Sequence, residues 1–206
     1  MSEQGTEEWH LERLGKVTAS KIADVMMKPT TAGFQNYRAQ LVCERLTGTP
    51  TESFTSAAMQ HGTDTEPRAR AFYEMEAGVD VEQVGFIDHP SLGMTGASPD
   101  GLVGKTGLIE IKCPQPATHI KTLMGGNIDR KYFLQMQWQM VCTGRDWCDF
   151  VSFCPSLPTD MQMHKQRVEL DSEYATEITA AVSGFLVEVD KMTADLTLKY
   201  EKKAGI

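Results

Sequence analysis

The sequence predicts a single α/β domain in which a central mixed sheet is flanked by helices. Two observations support this. Apolar residues follow helical spacing in the first part of the chain and strand-like alternation in the middle, and a helix, a strand pair and a long helix follow. With 206 residues, 41% of them hydrophobic, the chain can bury a core of its own, so we expect one domain over residues 1–206.

The first part of the chain is predicted to be helical. Thr18-Ala19-Ser20 is typical of a helix N-terminus, because hydroxyl side chains accept hydrogen bonds from the free backbone N–H groups there. A break at residues 29–33 is followed by a second helix over residues 36–46. A third is predicted over about residues 65–77, and a glycine beyond the last residue suits the end of a helix.

Strand patterns begin after residue 78, where the period of the apolar residues changes. Asp171 or Ser172 is the expected N-cap of the final helix. The predicted elements are strands over residues 79–86, 95–98 and 108–113, a short helix over 116–123, a helix over 129–142, strands over 147–153 and 163–170, and a helix over 172–199.

Composition excludes several classes of protein. No run of about 18 apolar residues is present, so we expect no membrane span. The N-terminus, Met1 to Trp9, is polar and acidic, unlike a signal peptide, which predicts a cytoplasmic protein. The five cysteines form no CxxC pair, which argues against a disulfide scaffold and a zinc ribbon. Cys142, Cys148 and Cys154 are spaced as a cluster-binding set might be, but their positions favour buried free thiols.

The chemically informative strand is the one predicted over residues 108–113. Because side chains alternate along a strand, Glu110 and Lys112 share one face while Ile109 and Ile111 anchor the other in the core. If Asp100 ends the neighbouring strand, its carboxylate meets that of Glu110. The pattern therefore predicts an acidic pair with an ammonium beside it.

Two converging carboxylates repel each other unless a cation lies between them. Their hard oxygen atoms favour Mg²⁺, with Mn²⁺ as a substitute, and the Ile111 carbonyl can supply a further oxygen. Lys112 would then lie near a metal-bound water and a phosphate. This is a phosphodiester hydrolase in outline. An exposed, ion-paired strand face gives the same acid-x-lysine pattern, so the triplet alone is a weak signal.

Asp100 and the triplet Glu110-Ile111-Lys112 resemble the signature of the PD-(D/E)xK nuclease superfamily, which implies a restriction-endonuclease-like α/β sandwich. Further matches narrow the resemblance to the phage lambda-type exonuclease (YqaJ-like viral recombinase) family. The matching blocks, in chain order, are residues 9–20, Met59-x-x-Gly62-x-x-x-Glu66, residues 98–101, residues 110–114 and Tyr132-x-x-Gln135-x-Gln137.

The resemblance implies a Mg²⁺-dependent enzyme that digests double-stranded DNA from a free 5′ end. It would release mononucleotides and leave 3′ single-stranded tails for recombination, as a ring-shaped homotrimer with a phage-type single-strand annealing protein as partner. Two other interpretations stay open: a PD-(D/E)xK endonuclease or repair nuclease that cuts internally, and a catalytically inactive scaffold that binds DNA ends.

The resemblance also assigns roles to individual residues. Without the resemblance, Glu66 has the simpler interpretation of an ordinary acid in the first turn of a helix. Gln137 or Gln139 could also fill the role assigned to Gln135. The implied catalytic residues are Lys112, Glu110, Asp100, Glu66 and Gln135, and the implied metal ligands are Asp100, Glu110 and the Ile111 carbonyl.

A pocket for the 5′-phosphate is implied at Arg13, Ser20 and Ser98, since an arginine fork and hydroxyl donors suit phosphate oxygens. The family has an arginine shortly after the Cys-Pro pair that is Cys113-Pro114 here, and this chain lacks it. Either His119 or Lys121 replaces that arginine, or the pocket binds the phosphate more weakly. Met59 stands where the family has an apolar wedge between the DNA strands, although core packing explains it equally well.

The net charge of −8 is unfavourable for a protein that coats DNA, because phosphate contacts need Lys and Arg. A confined basic channel remains compatible with it. Candidates for the channel lining, each of which also has the simpler interpretation of a solvated surface charge, are Lys16, Lys21, Lys28, Arg130 and Lys131.

Overall fold

The structure is a computed structural model that describes residues 2–51 and 56–204, with side chains as far as residue 200. The helices are α1 Glu7–Glu12, α2 Ile22–Val25, α3 Ala32–Thr47, α4 Ala57–Ala77, α5 Pro116–Leu123, α6 Arg130–Thr143 and α7 Ser172–Ala204. The strands are β1 Val17–Thr18, β2 Val81–Glu82, β3 Ile87–Asp88, β4 Thr95–Ala97, β5 Gly101–Val103, β6 Gly107–Lys112, β7 Trp147–Phe153 and β8 Met163–Glu169.

The main sheet has five strands in the order β2-β5-β6-β7-β8. Strands β6 and β7 are parallel, with Gly107 opposite Trp147 and Lys112 opposite Ser152, and the other pairs are antiparallel. A smaller sheet, ordered β1-β4-β3, combines a parallel and an antiparallel pair. The predicted fold class is confirmed: a mixed sheet lies between helices.

Strand β6 lies between β5 and β7, and a separate apolar cluster packs against each of its two faces. Ile109 and Ile111 face α4 and pack in a cluster with Tyr73, Val151 and Phe153. Leu108, on the opposite face of the strand, packs against the methionines of α6. The alternation predicted for this strand is therefore confirmed, with apolar side chains fixing it from both faces.

A third cluster joins the helices to the small sheet. Phe34 of α3 meets Phe185 of α7 edge to face, with ring centroids 4.9 Å apart. Trp138 of α6 is fully buried in the same cluster, together with Val17 of β1 and Ala97 of β4. Helix α6 therefore contacts both the main sheet and the helical layer, which fixes its orientation over β6.

Several boundaries differ from the prediction. Helix α4 begins at Ala57, not near residue 65, with Ser56 accepting from the Met59 amide at 3.2 Å, and it contains Pro67. Its proline removes one helical hydrogen bond without ending the helix. Of the strand expected over residues 79–86, only Val81–Glu82 is a strand, β2. The next strand, β3, begins at Ile87 and belongs to the other sheet. Helix α1 was not predicted.

Two other predictions are confirmed, the N-cap of α7 and the burial of three cysteines. Asp171 caps α7, since its Oδ1 accepts from the Glu173 amide at 2.9 Å. Cys142, Cys148 and Cys154 are buried free thiols. No helix in the described ranges is long and apolar enough to cross a membrane.

Candidate active site

The acidic pair forms where β5 meets β6. Asp100 lies in the bend immediately before β5, and the next residue, Gly101, pairs with Ile109 of β6. Asp100 Oδ2 accepts a hydrogen bond from the Ile111 amide at 2.6 Å. A Cβ atom on Gly101 would stand 2.1 Å from Val81 Cγ1, so only glycine allows this close approach of β2. The carboxylate of Asp100 is thus held beside β6.

The carboxylate of Glu110 is fully buried on the opposite face of the strand from the isoleucines. Gln135 Nε2 donates to its Oε1 at 2.8 Å, and Gln139 Nε2 donates to its Oε2 at 2.7 Å. Lys112 Nζ lies 2.5 Å from Oε1. The buried charge is therefore paired and hydrogen-bonded, as a charge in a protein interior must be.

Two of the three glutamines of α6 bind the carboxylate of Glu110. Gln135 and Gln139 are one helical turn apart and share the face toward Glu110. Gln137 faces elsewhere: its amide donates to the Glu169 carbonyl at 2.9 Å and accepts from the Asp171 amide at 2.8 Å. Two glutamines therefore orient Glu110, and the third joins β8 to α7.

The charges of the cluster influence one another. Burial raises the pKa of Asp100 well above its usual range, and the negative charge of Glu110 raises it further. Burial opposes the charge of Lys112, but Glu110 and Asp100 keep its pKa above the ordinary lysine value. Lys112 offsets only part of the repulsion between the two carboxylates, which favours a further cation between them.

Glu66 reaches the same cluster from α4. Burial raises the pKa of Glu66 above its ordinary value, and the negative charge of Glu110 raises it as well. The positive charges of Arg70, one turn further along α4, and of Lys112 lower it. Its carboxylate is ion-paired with Arg70 at 2.5 Å. Glu66 thus contributes to the electrostatics of the acidic pair from the opposite side of the sheet.

The oxygen atoms present suit a hard divalent cation. The N–H and C=O groups of one strand residue point to the same side, so the Ile111 carbonyl faces the side on which Asp100 lies. Within the described residues no three His, Cys, Asp or Glu side chains form a complete metal cage. A metal here would therefore be held by Asp100, Glu110 and the Ile111 carbonyl, with its remaining positions open to water and substrate.

A second site lies between α1, the segment that precedes α2, α3 and the start of α4. It is a cavity of about 360 Å³ whose lining includes Arg13, Ser20 and Met59. The guanidinium of Arg13 stacks 3.8 Å from the centroid of the Trp9 ring. Trp9 Nε1 in turn donates to Ser98 Oγ at 3.0 Å. Trp9 thus links Arg13 to Ser98, and Ser20 lines the same cavity as Arg13.

Arg13 has the features of an anion ligand. Its Nε is buried and has no hydrogen-bond partner in the part of the chain that the structure describes. Burial lowers the pKa of its guanidinium. A buried donor without a partner is costly, and a phosphate oxygen would satisfy it. Met59, at 56% exposure, stands at the same cavity, so the alternative that it packs in the core is wrong.

His119 does not join this cavity. It is fully buried, its Nδ1 is 2.7 Å from Ser152 Oγ, and its Nε2 is 2.9 Å from the Met161 carbonyl. Both ring nitrogens are thus engaged in attaching α5 to the main sheet, and the imidazole offers nothing to a phosphate. Lys121, the other candidate, lines a cavity next to Lys112.

Two contributors were missed by the sequence reasoning. Trp9 was noted only as part of a matching block, although its spacing from Arg13 on α1 was a signal that both share one face. Gln4 gave no signal. Its Nε2 donates to the carbonyls of Val84 at 2.9 Å and Pro99 at 2.8 Å, which holds the backbone immediately before Asp100.

The chain is similar to several known proteins. Residues 8–146 match the family model of the YqaJ-like viral recombinase domain. An alkaline exonuclease from Laribacter hongkongensis, also solved in complex with dAMP, is 54% identical, with a TM-score of 0.91 over 96% of this chain and 99% of that one. A phage-related exonuclease from Haemophilus somnus shares the fold, at 15% identity and a TM-score of 0.70 over 88% of this chain and 96% of that one.

The fold and the cluster of Asp100, Glu110 and Lys112 define a DNA nuclease of the PD-(D/E)xK type. The chain belongs to the YqaJ-like viral recombinase family. A relative of uncharacterised function, protein R354 of Acanthamoeba polyphaga mimivirus, is 30% identical over 167 residues, or 72% of this chain, and the chain spans 29% of that relative's length.

The repulsion within the acidic pair is testable by thermal unfolding. We expect Asp100→Asn to raise the midpoint of the metal-free protein, because it removes a partly buried charge near Glu110. Wild-type protein should gain ~2.7 kcal/mol when Mg²⁺ is a hundredfold above its Kd, and the variant should gain almost nothing. Asp80→Asn, at an exposed position, is the control and should keep the Mg²⁺ response. An undiminished response in Asp100→Asn would exclude this carboxylate as a ligand.

The contribution of Gln4 is testable by amide hydrogen exchange. Gln4→Met keeps the length of the side chain but removes both N–H donors, which frees the Pro99 carbonyl. We expect the Ile111 amide, which donates to Asp100, to exchange ~2- to 10-fold faster, the equivalent of one ordinary hydrogen bond.

The matched control is Gln162→Met, since the Gln162 amide also bridges two carbonyls, those of Pro155 at 3.1 Å and Leu157 at 2.8 Å. It should leave exchange at Ile111 unchanged. Equal acceleration by both variants would mean that Gln4 stabilises the fold in general and does not hold Asp100.

Proposed function

We propose that this protein is a Mg²⁺-dependent exonuclease that degrades one strand of double-stranded DNA in the 5′→3′ direction. It would release mononucleotides and leave 3′ single-stranded tails. The observation that carries the proposal is the proximity of an acidic pair suited to a metal and a cavity suited to a terminal phosphate.

The chain itself limits the separation of the two sites. Ser98 stands beside Trp9 at the Arg13 cavity and is two residues from Asp100. Two residues span at most ~7 Å. A terminal phosphate near Arg13 and a phosphodiester near Asp100 can therefore belong to neighbouring nucleotides. This arrangement favours cutting near an end over cutting internally.

Each residue of the cluster has a defined task. Asp100, Glu110 and the Ile111 carbonyl would hold the metal, and Gln135 and Gln139 orient Glu110. A bound Mg²⁺ supplies Lewis acidity and a more acidic water. The ammonium of Lys112 stabilises the negative charge that develops on the phosphate during attack. Glu66 lies where it can orient a water molecule.

At the Arg13 cavity, the guanidinium and the hydroxyls of Ser20 and Ser98 would bind the 5′-phosphate left by each cut. Met59, exposed at the rim, is suited to separate the terminal base pair. Neither candidate for the missing arginine lines this cavity, since His119 is buried and Lys121 lines the cavity next to Lys112, and this favours a weaker pocket. Each cut creates a new 5′-phosphate, which the same cavity receives.

The wider assembly belongs to the proposal as well. Its support is the similarity to the YqaJ-like viral recombinase family and not the geometry of this chain. We propose a ring-shaped homotrimer around double-stranded DNA with a free 5′ end, working in the cytoplasm with a phage-type single-strand annealing protein.

Lys112→Ala tests the chemistry. On linear duplexes labelled at either end, wild-type protein with Mg²⁺ should shorten each strand from its 5′ end and leave closed circles intact. The variant should be ~100- to 1,000-fold slower, the usual loss for one charge-stabilising donor, while still binding DNA. Lys105→Ala, at an exposed turn between β5 and β6, serves as the control. Digestion of closed circles by the wild type would favour internal cutting, and undiminished activity of Lys112→Ala would refute the assignment.

Arg13→Ala tests the direction of digestion. Wild-type protein should prefer 5′-phosphorylated ends to 5′-hydroxyl ends, and the variant should lose ~10-fold or more of this preference, because a charge-assisted hydrogen bond is removed. Competition between the two kinds of end gives the ratio directly. Arg130→Ala, on the surface of α6, should keep it. Equal digestion of both ends by the wild type would show that the cavity does not recognise the phosphate.

A further inference from the structure

A second cavity opens beside the catalytic lysine, on the side of α5 and α6. It has a volume of about 280 Å³, and we call it the lysine groove. Its lining includes Lys112, Thr118, Lys121, Lys131, Tyr132 and Phe150. Lys121 and Lys131 belong to different helices, α5 and α6, and the fold brings both to one groove.

The groove is suited to an anion. The chain as a whole carries a net charge of −8, yet three lysines line this one cavity. The acid that faces them is Asp129, whose carboxylate is 3.8 Å from Lys131 Nζ, and Glu110 holds Lys112. Lys121 forms no ion pair with any residue that the structure describes, so the local charge is opposite in sign to the net charge of the chain.

The floor of the groove is suited to a flat ring. Tyr132 and Phe150 are stacked with ring centroids 5.9 Å apart and an interplanar angle of 28°. The ammonium groups of Lys131 and Lys112 lie 4.7 Å and 5.1 Å from the centroid of the Tyr132 ring. An aromatic face framed by cations is the combination that binds single-stranded nucleic acid, since bases stack and phosphates pair with the cations.

We infer that the lysine groove binds one unpaired nucleotide of the DNA strand next to the phosphodiester at Lys112. Its base would stack on Tyr132, and Lys121 and Lys131 would pair with its phosphates. The volume of about 280 Å³ supports a ligand no larger than a single nucleotide, because it is just below the ~300–1,000 Å³ typical of ligand cavities. This inference rests on the proposed function, and it implies that the strand is unpaired where it is cut.

The test is binding of a fluorescent single-stranded oligonucleotide in EDTA, where no cutting occurs. Lys121→Gln/Lys131→Gln should lower the affinity about tenfold, and Tyr132→Leu should do the same because one stacked base is lost. Tyr132→Phe keeps the ring and should keep the affinity. The matched control, Lys105→Gln/Lys165→Gln, removes two exposed lysines that line a different cavity, next to Tyr73 and Trp147.

A second measurement is inhibition of wild-type and variant protein by dAMP. The lysine variant should be inhibited less strongly, and its KM for linear DNA should rise more than its kcat falls. Thermal unfolding would reveal whether Tyr132→Leu folds poorly. In that case the Lys121→Gln/Lys131→Gln variant still tests the inference.

The outcomes separate the two proposals. Groove variants that bind the oligonucleotide as tightly as wild type, or that lose no more than the control, would overturn the inference even if wild-type protein digests DNA from 5′ ends. A selective loss of binding would support it even if the wild type proved to cut internally.

Discussion

The buried carboxylate of Glu110 is the group on which the rest of the site depends. Removing a carboxylate from water costs several kcal/mol unless it is paired and hydrogen-bonded. The Glu110 carboxylate accepts a hydrogen bond from the side-chain amide of Gln135 and another from that of Gln139, and it forms an ion pair with Lys112. Because the two glutamines stand on one face of α6, neutralising Glu110 also sets the rotation of α6 over β6. Trp138 and the methionines of the same helix then fill the two cores on either side.

The second constraint is the backbone around Asp100. The bend is held from one side by the Ile111 amide and from the other by Gln4, which binds the Pro99 carbonyl. The same N-terminal segment carries Trp9, which contacts Arg13 and Ser98. A segment far from β6 in sequence therefore couples the acidic pair to the phosphate cavity, so the spacing between the two sites follows from a few hydrogen bonds.

The distribution of charge reconciles an acidic chain with a nucleic-acid substrate. Phosphate binding requires local cations and not a basic protein overall. Here cations collect on the two sides of the acidic pair: Arg13 with its hydroxyl neighbours at one cavity, and three lysines at the other. The carboxylates between them are suited to a divalent metal, which nucleases of this kind generally use.

The sequence by itself determined the elements whose signal is local. Alternation placed Glu110 and Lys112 on one face of β6, and the order of motifs identified the fold and the enzyme class. Tertiary structure alone decided what depends on contacts between distant residues: which glutamines bind Glu110, that His119 is buried, that Met59 is exposed, and that Gln4 holds the bend at Asp100. The reason is physical. Periodicity reports which face of an element is apolar, whereas the partner of a side chain depends on how elements packed from distant parts of the chain meet.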